Sequence, residues 1–198
     1  MQRSGEISFH GKGAVQDGCG TKNKEEKMDS RAERAGELFL EGCNCSQSVF
    51  VTYADLYGFD QETAMRIAAS FGAGMGRMRE VCGAVSGMFL VAGMETGATK
   101  GSDREGKQRN YETVQELAAR FREEFGSIIC RELLGLDKGK LTKEEREQML
   151  SATPQARTAE YYKKRPCKEQ IIRAAKILEQ TILKEYFFND SVEGEEEK

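Results

Sequence analysis

Apolar residues recur at every third or fourth position along most of the chain, which is the spacing of helices with one buried face. No segment alternates apolar and polar residues for long enough to be a β-strand. Helices are predicted at 29–41, 45–57, 61–71, 81–96, 103–125, 128–135 and 166–186, with a further helix from Lys143 inside the polar connection 136–165. The pattern therefore predicts an all-α protein, a single-domain helical bundle of about six to seven helices.

Short signals mark the ends of several predicted helices. A capping side chain followed three residues later by Glu or Gln satisfies free N–H groups at a helix start. Such boxes are predicted at Asn44–Gln47, Ser102–Glu105 and Thr142–Glu145. Ser127 is predicted to cap the short helix 128–135, and Pro166 is predicted to be a first-turn proline.

The two ends of the 198-residue chain lack the helical pattern. Residues 1–28 are polar and glycine-rich, and residues 189–198 form an acidic tail, so both are predicted to be disordered around a helical domain at 29–188. The single histidine, His10, falls in the leader, so no histidine-dependent catalysis is assigned to the folded part. No pair of carboxylates is singled out for acid–base chemistry.

Composition and charge narrow the classes of function. The net charge of −3 argues against a nucleic-acid-binding protein, which usually carries a basic excess. The longest uncharged apolar run, 81–94, is shorter than the roughly 18–20 residues of a membrane span, and residues 1–28 have no signal-peptide pattern. We therefore expect a cytoplasmic protein, in which six cysteines favour metal or redox chemistry over structural disulfides.

Four of the six cysteines fall in the first turns of predicted helices. They are Cys45, Cys82, Cys130 and Cys167. The free N–H groups at a helix start favour a thiolate, which is both the nucleophile and the metal ligand. Each of the four also lies on the apolar face of its helix, and short loops make consecutive helices antiparallel. We therefore expect four anionic sulfurs to gather at one end of the bundle, whereas Cys19 and Cys43 are interpreted as incidental thiols.

Small residues follow Cys82 in the stretch CGAVSG. Glycine inside a helix costs about 1 kcal/mol relative to alanine, so several of them indicate tight helix packing, a bound group, or both. The residues predicted to contact a bound group are Gly83, Ala84, Ser86 and Gly87.

The preceding loop, GAGMGRMRE, has the wrong spacing for a dinucleotide-binding fingerprint and follows a helix instead of a strand. It is interpreted as a helix end and a connector. The functional alternative is that its backbone N–H groups and Arg77 or Arg79 line an anionic sulfur site, where an arginine would lower thiol pKa values.

The stretches NCSQSVF and CGAVSG, followed by two isolated cysteines, resemble the C_GCAxxG_C_C family of redox-active proteins. The resemblance covers roughly residues 35–182, and the four cysteines of the family would be the four at helix starts. It implies a redox role, sometimes in association with transporters or electron-transfer modules. It does not supply a substrate.

Three hypotheses remain open from the sequence. In the first, Cys45, Cys82, Cys130 and Cys167 bind a metal ion or an iron–sulfur cluster for electron transfer, because soft thiolates select such groups. Against it, the chain lacks the C-x-x-C pairs usual in such sites.

In the second hypothesis, the protein is a metal-free thiol–disulfide redox protein. In the third, it is a helical structural or partner-binding domain with inert buried cysteines. Whether it is an enzyme, and its oligomeric state, are left open.

Overall fold

The computed structural model describes residues 30–137, 139, 142–163 and 165–188. The leader 1–28, with His10 and Cys19, and the tail 189–198 lie outside the described residues. Their predicted disorder and the predicted domain limits therefore stay predictions.

The described part of the chain is helical, with one isolated bridge, between Val81 and Ile129, as its only β pairing. The seven helices of eight residues or more are α1 (Ala32–Leu40), α2 (Cys45–Tyr53), α3 (Gln61–Ala68), α5 (Gly83–Thr96), α6 (Arg104–Phe125), α8 (Lys143–Leu150) and α10 (Cys167–Gln180). The short segments are α4 (Gly72–Met75), α7 (Cys130–Leu133), α9 (Ala159–Lys163) and α11 (Lys184–Phe187). The predicted all-α class is confirmed. Within the described ranges, no helix has the length and apolar character that crossing a membrane requires.

The central helix of the bundle is α2, which contacts α1, α3, α5 and α10. Helix α6 packs along α5, and α1 packs along α10. The core between them is formed by buried apolar residues that include Val49, Phe50, Tyr53, Val85, Met88, Phe121, Ile171 and Leu178. Burying side chains of this size contributes roughly 1.5–3 kcal/mol each, which is the main force that holds the helices together.

A buried carboxylate joins α10 to α1 and α2. Glu179 is 2% exposed and accepts hydrogen bonds from the Tyr53 hydroxyl (2.9 Å), the Ser30 hydroxyl (2.7 Å) and the Arg31 backbone N–H (2.7 Å). Burial and the neighbouring carboxylate raise the pKa of Tyr53, so its hydroxyl remains a donor. The network fixes how α10 lies against α2.

The helix ends differ from the predictions at several points. Asp103 caps α6 in place of Ser102, because its carboxylate accepts from the Gly106 N–H at 2.8 Å. Pro166 precedes α10 as its N-cap and does not form its first turn. The last predicted helix stops at Gln180, since Thr181 leaves the helical region (φ −120°, ψ −96°) and the chain then buries Leu183. The predicted Thr142–Glu145 box involves the Glu145 side chain, which lies outside the described part.

Two glycines allow α5 to approach α2 closely. A Cβ on Gly83 would lie 2.9 Å from Cys45 Cβ and 3.1 Å from the Phe71 carbonyl oxygen. A Cβ on Gly87 would lie 2.7 Å from Val49 Cβ and 3.0 Å from the Ser46 carbonyl oxygen. The tight packing predicted for the small residues after Cys82 is therefore observed at both positions.

Replacing Gly87 by alanine should destabilise the protein, although alanine is the better helix former. The added methyl group would overpack the contact with Val49 and the α2 backbone, and we expect the free energy of unfolding to fall by about 1–2 kcal/mol. Urea denaturation followed by circular dichroism measures this. The matched control is Gly93→Ala on the same helix, where a Cβ meets nothing within 4 Å and stability should rise by up to about 1 kcal/mol. Equal stability of Gly87→Ala and wild type would contradict the close contact.

Candidate functional site: a cavity lined by four cysteines

Each of the four predicted cysteines lies at a helix start. Cys45, Cys130 and Cys167 are the first residues of α2, α7 and α10, and Cys82 immediately precedes α5. All four line one cavity of about 40 Å³, which has space for a few water molecules. Cys82, Cys130 and Cys167 are buried, and Cys45 is half-buried.

The position of Cys45 is fixed by the predicted capping box. The Asn44 side chain accepts from the N–H groups of Ser46 and Gln47 at 3.0 Å, and the Gln47 side chain accepts from the Asn44 N–H at 2.9 Å. The Asn44 amide also donates to the Ala69 carbonyl at 3.0 Å. The capping box therefore sets the start of α2 at Cys45, and Asn44 connects this helix start to Ala69, just before the glycine-rich loop.

The glycine-rich loop forms one turn of left-handed helix. Residues 73–77 all have positive φ, and the Gly76 N–H donates to the Gly72 carbonyl at 3.0 Å. Left-handed conformation costs roughly 1–2 kcal/mol for each non-glycine residue, here Ala73, Met75 and Arg77. A Cβ on Gly74 would lie 2.6 Å from Cys130 Cβ, so the turn packs directly against a site thiol.

Backbone pairing next to this turn brings Cys82 and Cys130 together. In the bridge between Val81 and Ile129, the Cys82 N–H donates to the Ile128 carbonyl at 2.8 Å. The Cys130 N–H donates to the Glu80 carbonyl at 2.6 Å. The two thiols therefore come from adjacent extended segments, a local pairing too short to be predicted from alternation.

Three arginines line the cavity. Arg79 is 2% exposed, donates to the Cys130 sulfur, and donates from Nε to the Met149 carbonyl at 3.2 Å. Arg157 and Arg165 come from the polar connection, which was not predicted to reach the site. Arg77 instead donates to the carbonyls of Ser151 and Gln148, so of the two arginines proposed from sequence only Arg79 is in the lining. The one sequence signal for Arg165 is its position two residues before Cys167.

Aromatic rings hold the two unpredicted arginines. The Arg157 guanidinium lies 4.8 Å from the Phe39 ring centroid and 5.2 Å from that of Tyr161. The Arg165 guanidinium lies 4.7 Å from the Tyr161 centroid. Arg157 also donates to the Phe39 and Cys43 carbonyls. These cation–π contacts hold this part of the polar connection against the cavity, and Tyr161 is itself one of the lining residues.

Burial, and not the helix starts, dominates the acidity of two of the four thiols, Cys82 and Cys130. Loss of solvation raises the pKa of Cys82 to about 12 and raises that of Cys130. The pKa of Cys45 is raised chiefly by its hydrogen-bonding interaction with the Cys167 sulfur, and also because the Cys45 sulfur itself is shielded from solvent although the residue is half-buried. The expectation of four thiolates is therefore wrong: N–H groups such as those of Ala84 and Val85 do favour the Cys82 anion but do not offset its burial.

Cys167 is the exception. Its pKa is lowered to about 7 by the hydrogen bond from Cys45, with further lowering by the nearby charges of Arg165 and Arg157. Cys45 and Cys167 therefore form a hydrogen-bonded pair in which one sulfur is a thiolate near neutral pH and the other keeps its proton.

The remaining predicted residues occupy different positions. Of the four small residues after Cys82, Gly83 is in the cavity lining, whereas Ala84, Ser86 and Gly87 are buried within α5. The Ser86 hydroxyl donates to the Cys82 carbonyl at 3.2 Å. Cys43 Sγ lies 3.8 Å from Met65 Sδ, and Cys43 is not among the lining residues.

The donor set of the cavity is sulfur, which suits soft metals. Within residues 30–137, 139, 142–163 and 165–188, no group of three or more His, Cys, Asp or Glu side chains is arranged to hold a metal ion. The four thiols face a common space without converging on one point.

A family model described as "Putative redox-active protein (C_GCAxxG_C_C)" matches residues 43–181, a span that contains all four cavity cysteines. The chain belongs to this family, as the resemblance of its cysteine motifs indicated. No curated protein and no solved structure matches the chain.

The Cys167 thiolate should appear in a titration with a midpoint near pH 7. Because the thiolate is the form present above the pKa, ultraviolet thiolate absorbance and alkylation of Cys167 should both rise as the pH passes this midpoint. Arg165→Gln should move the midpoint upward towards the ordinary thiol value of about 8.5.

Two variants serve as controls that assign the titration step near pH 7 to Cys167. Cys167→Ser should remove the step near pH 7, and Arg66→Gln, on the surface of α3, should leave it unchanged. A step that survives in Cys167→Ser would assign the low pKa to another thiol.

Proposed function

We propose that this protein is a thiol–disulfide redox protein whose reacting pair is Cys45 and Cys167. The observation that carries the proposal is that Cys45 and Cys167 line one small cavity at the N-terminal ends of α2 and α10, where their interaction shifts the two thiol pKa values in opposite directions. Thiol–disulfide exchange needs an attacking thiolate and a second thiol within bonding reach, and this pair supplies both. Membership of a family described as redox-active supports the same chemistry.

In the reaction, the Cys167 thiolate attacks one sulfur of an acceptor disulfide. A bond forms between Cys167 and that sulfur, and the other half of the acceptor leaves as a thiolate that takes up a proton. Cys45 then loses its proton and attacks the Cys167 sulfur, which forms the Cys45–Cys167 disulfide and releases the second half. Two electrons pass from the protein to the acceptor.

The surrounding residues have separate roles in this proposal. Arg165 and Arg157 stabilise the attacking thiolate through their charges. Cys82 and Cys130 remain protonated at neutral pH because burial raises their pKa values, so they do not compete as nucleophiles. Arg79 stays bound to Cys130 and to the Met149 carbonyl and holds the wall of the cavity.

Mild oxidation of the reduced protein should join Cys45 to Cys167 and leave Cys82 and Cys130 as thiols. Peptide mapping by mass spectrometry measures the bond directly. In Cys45→Ser, the attack by Cys167 still occurs but cannot be resolved, so we expect a trapped mixed disulfide at Cys167. In Cys167→Ser, oxidation should slow at least tenfold, because the remaining thiols titrate well above neutral pH.

Cys82→Ser is the matched control for that experiment. It removes a cavity thiol outside the reacting pair, so the Cys45–Cys167 bond should form at the wild-type rate. Oxidation that pairs Cys82 with Cys130 instead would refute the assignment of the pair.

A second candidate function is binding of a metal ion or iron–sulfur cluster for electron transfer. The observation that favours it is that all four cysteines line one cavity. Cys45, Cys82, Cys130 and Cys167 would hold the group, which would supply one-electron chemistry. Binding would require the thiols to move closer together and to lose their protons.

Anaerobic purification distinguishes the two candidates. For the thiol–disulfide function, we expect a colourless protein without stoichiometric metal, in both wild type and Cys82→Ser. Stoichiometric iron with visible charge-transfer bands that disappear in Cys82→Ser would support the second candidate and contradict the first.

A further inference from the structure

An open cleft of about 720 Å³ lies beside the cysteine cavity. Its volume is within the range of small-molecule sites, roughly 300–1,000 Å³. The polar connection forms one side, with Pro154 and Tyr161, and Leu134 and Arg77 lie on the other. The cleft shares Leu134, Tyr161 and Arg165 with the cysteine cavity, so the two spaces adjoin at these side chains.

The lining of the cleft carries an excess of positive charge. Arg77 and Arg165 are both in the lining. Burial is the largest cause that lowers the pKa of Arg77, and the nearby positive charges of Arg79 and Arg165 lower it further. Among the described lining residues, Glu160 is the one carboxylate. A cleft with this charge favours an anionic ligand.

The hydrogen bonds of Arg77 go to neutral oxygens, whereas Arg165 interacts with both a neutral oxygen and the Cys167 sulfur. Arg77 donates to the carbonyls of Ser151 and Gln148, and Arg165 donates to the Gln155 side-chain oxygen. These contacts hold the Arg77 guanidinium in place without neutralising its charge. A guanidinium has five N–H donors in a planar fork that fits a carboxylate, so each arginine keeps donors beyond those contacts.

We propose that the cleft binds a small disulfide that carries carboxylate groups, with its negative ends against Arg77 and Arg165 and its S–S bond towards the cysteine cavity. This inference rests on the proposed thiol–disulfide function and names the class of its substrate. The step is the exchange described above: the bound disulfide accepts two electrons from the pair, one proton from Cys45 and one proton from water, and leaves as two thiols, while Cys45 and Cys167 become a disulfide.

The test compares three disulfides of similar size on the reduced full chain: dithiodipropionate, which is anionic, hydroxyethyl disulfide, which is neutral, and cystamine, which is cationic. At low ionic strength we expect dithiodipropionate to oxidise the Cys45–Cys167 pair about tenfold faster than the neutral disulfide, and cystamine to react most slowly. The preference should shrink as salt is added. Equal rates for the three disulfides would overturn the proposal.

Variants of Arg77 assign the preference to the cleft. Arg77→Gln should abolish the advantage of dithiodipropionate and slow hydroxyethyl disulfide much less, because Arg77 is not among the largest causes of the Cys167 pKa shift. Arg77→Lys should retain most of the advantage, and Arg66→Gln, on the surface of α3, should behave as wild type. Equal slowing of all three disulfides in Arg77→Gln would show a structural role and overturn the assignment.

Binding can be measured without the thiol chemistry. Suberate has the chain length and charges of dithiodipropionate but no sulfur, and it should raise the Tm of the wild type and not that of Arg77→Gln. If hydroxyethyl disulfide reacts while dithiodipropionate shows no advantage and suberate does not bind, this inference fails and the thiol–disulfide function stands. If no disulfide oxidises the pair, the proposed function fails and this substrate class fails with it.

Discussion

The close approach of α5 to α2 is the constraint on which the site depends. At Gly83 and Gly87 the two helices are too near for any side chain, and the first of these contacts is against Cys45 itself. With α5 held there, Cys82 lies beside the start of α2, and α10 brings Cys167 to the same place through its own packing on α2. Four helix starts therefore open on one small cavity because glycine removes the side chains that would separate them.

Within that cavity, two opposing effects decide the chemistry of each sulfur. Transfer from water to the protein interior disfavours every thiolate, whereas hydrogen-bond donors and guanidinium groups favour it. For Cys82 and Cys130 the loss of solvation is the larger effect, and for Cys167 the donors are. Four cysteines in equivalent positions of the sequence pattern thus differ in acidity.

The sequence predicted the parts of this structure that are encoded locally. Helix positions follow from apolar periodicity, and the start of α2 follows from Asn44 and Gln47, which lie three residues apart. Arg157 could not be found in this way, because its position depends on Phe39, which is more than a hundred residues away in the chain. Arg165 lies against Tyr161, a near neighbour in the chain, and what the sequence pattern does not give is that this segment reaches the cavity. The pKa of Cys167 could not be found either, since it depends on Cys45 and on the degree of burial.

The left-handed turn at residues 73–77 has a consequence for the order of assembly. An unfolded chain rarely populates this conformation at alanine, methionine or arginine, and it persists only while its surroundings hold it. The pairing of Cys82 with Cys130 adjoins this turn, since the Glu80 N–H donates to the Gly74 carbonyl at 3.1 Å and the Glu80 carbonyl accepts from the Cys130 N–H. The helical scaffold is therefore expected to precede the sulfur cavity in folding, and partial unfolding would release this corner while the rest of the bundle persists.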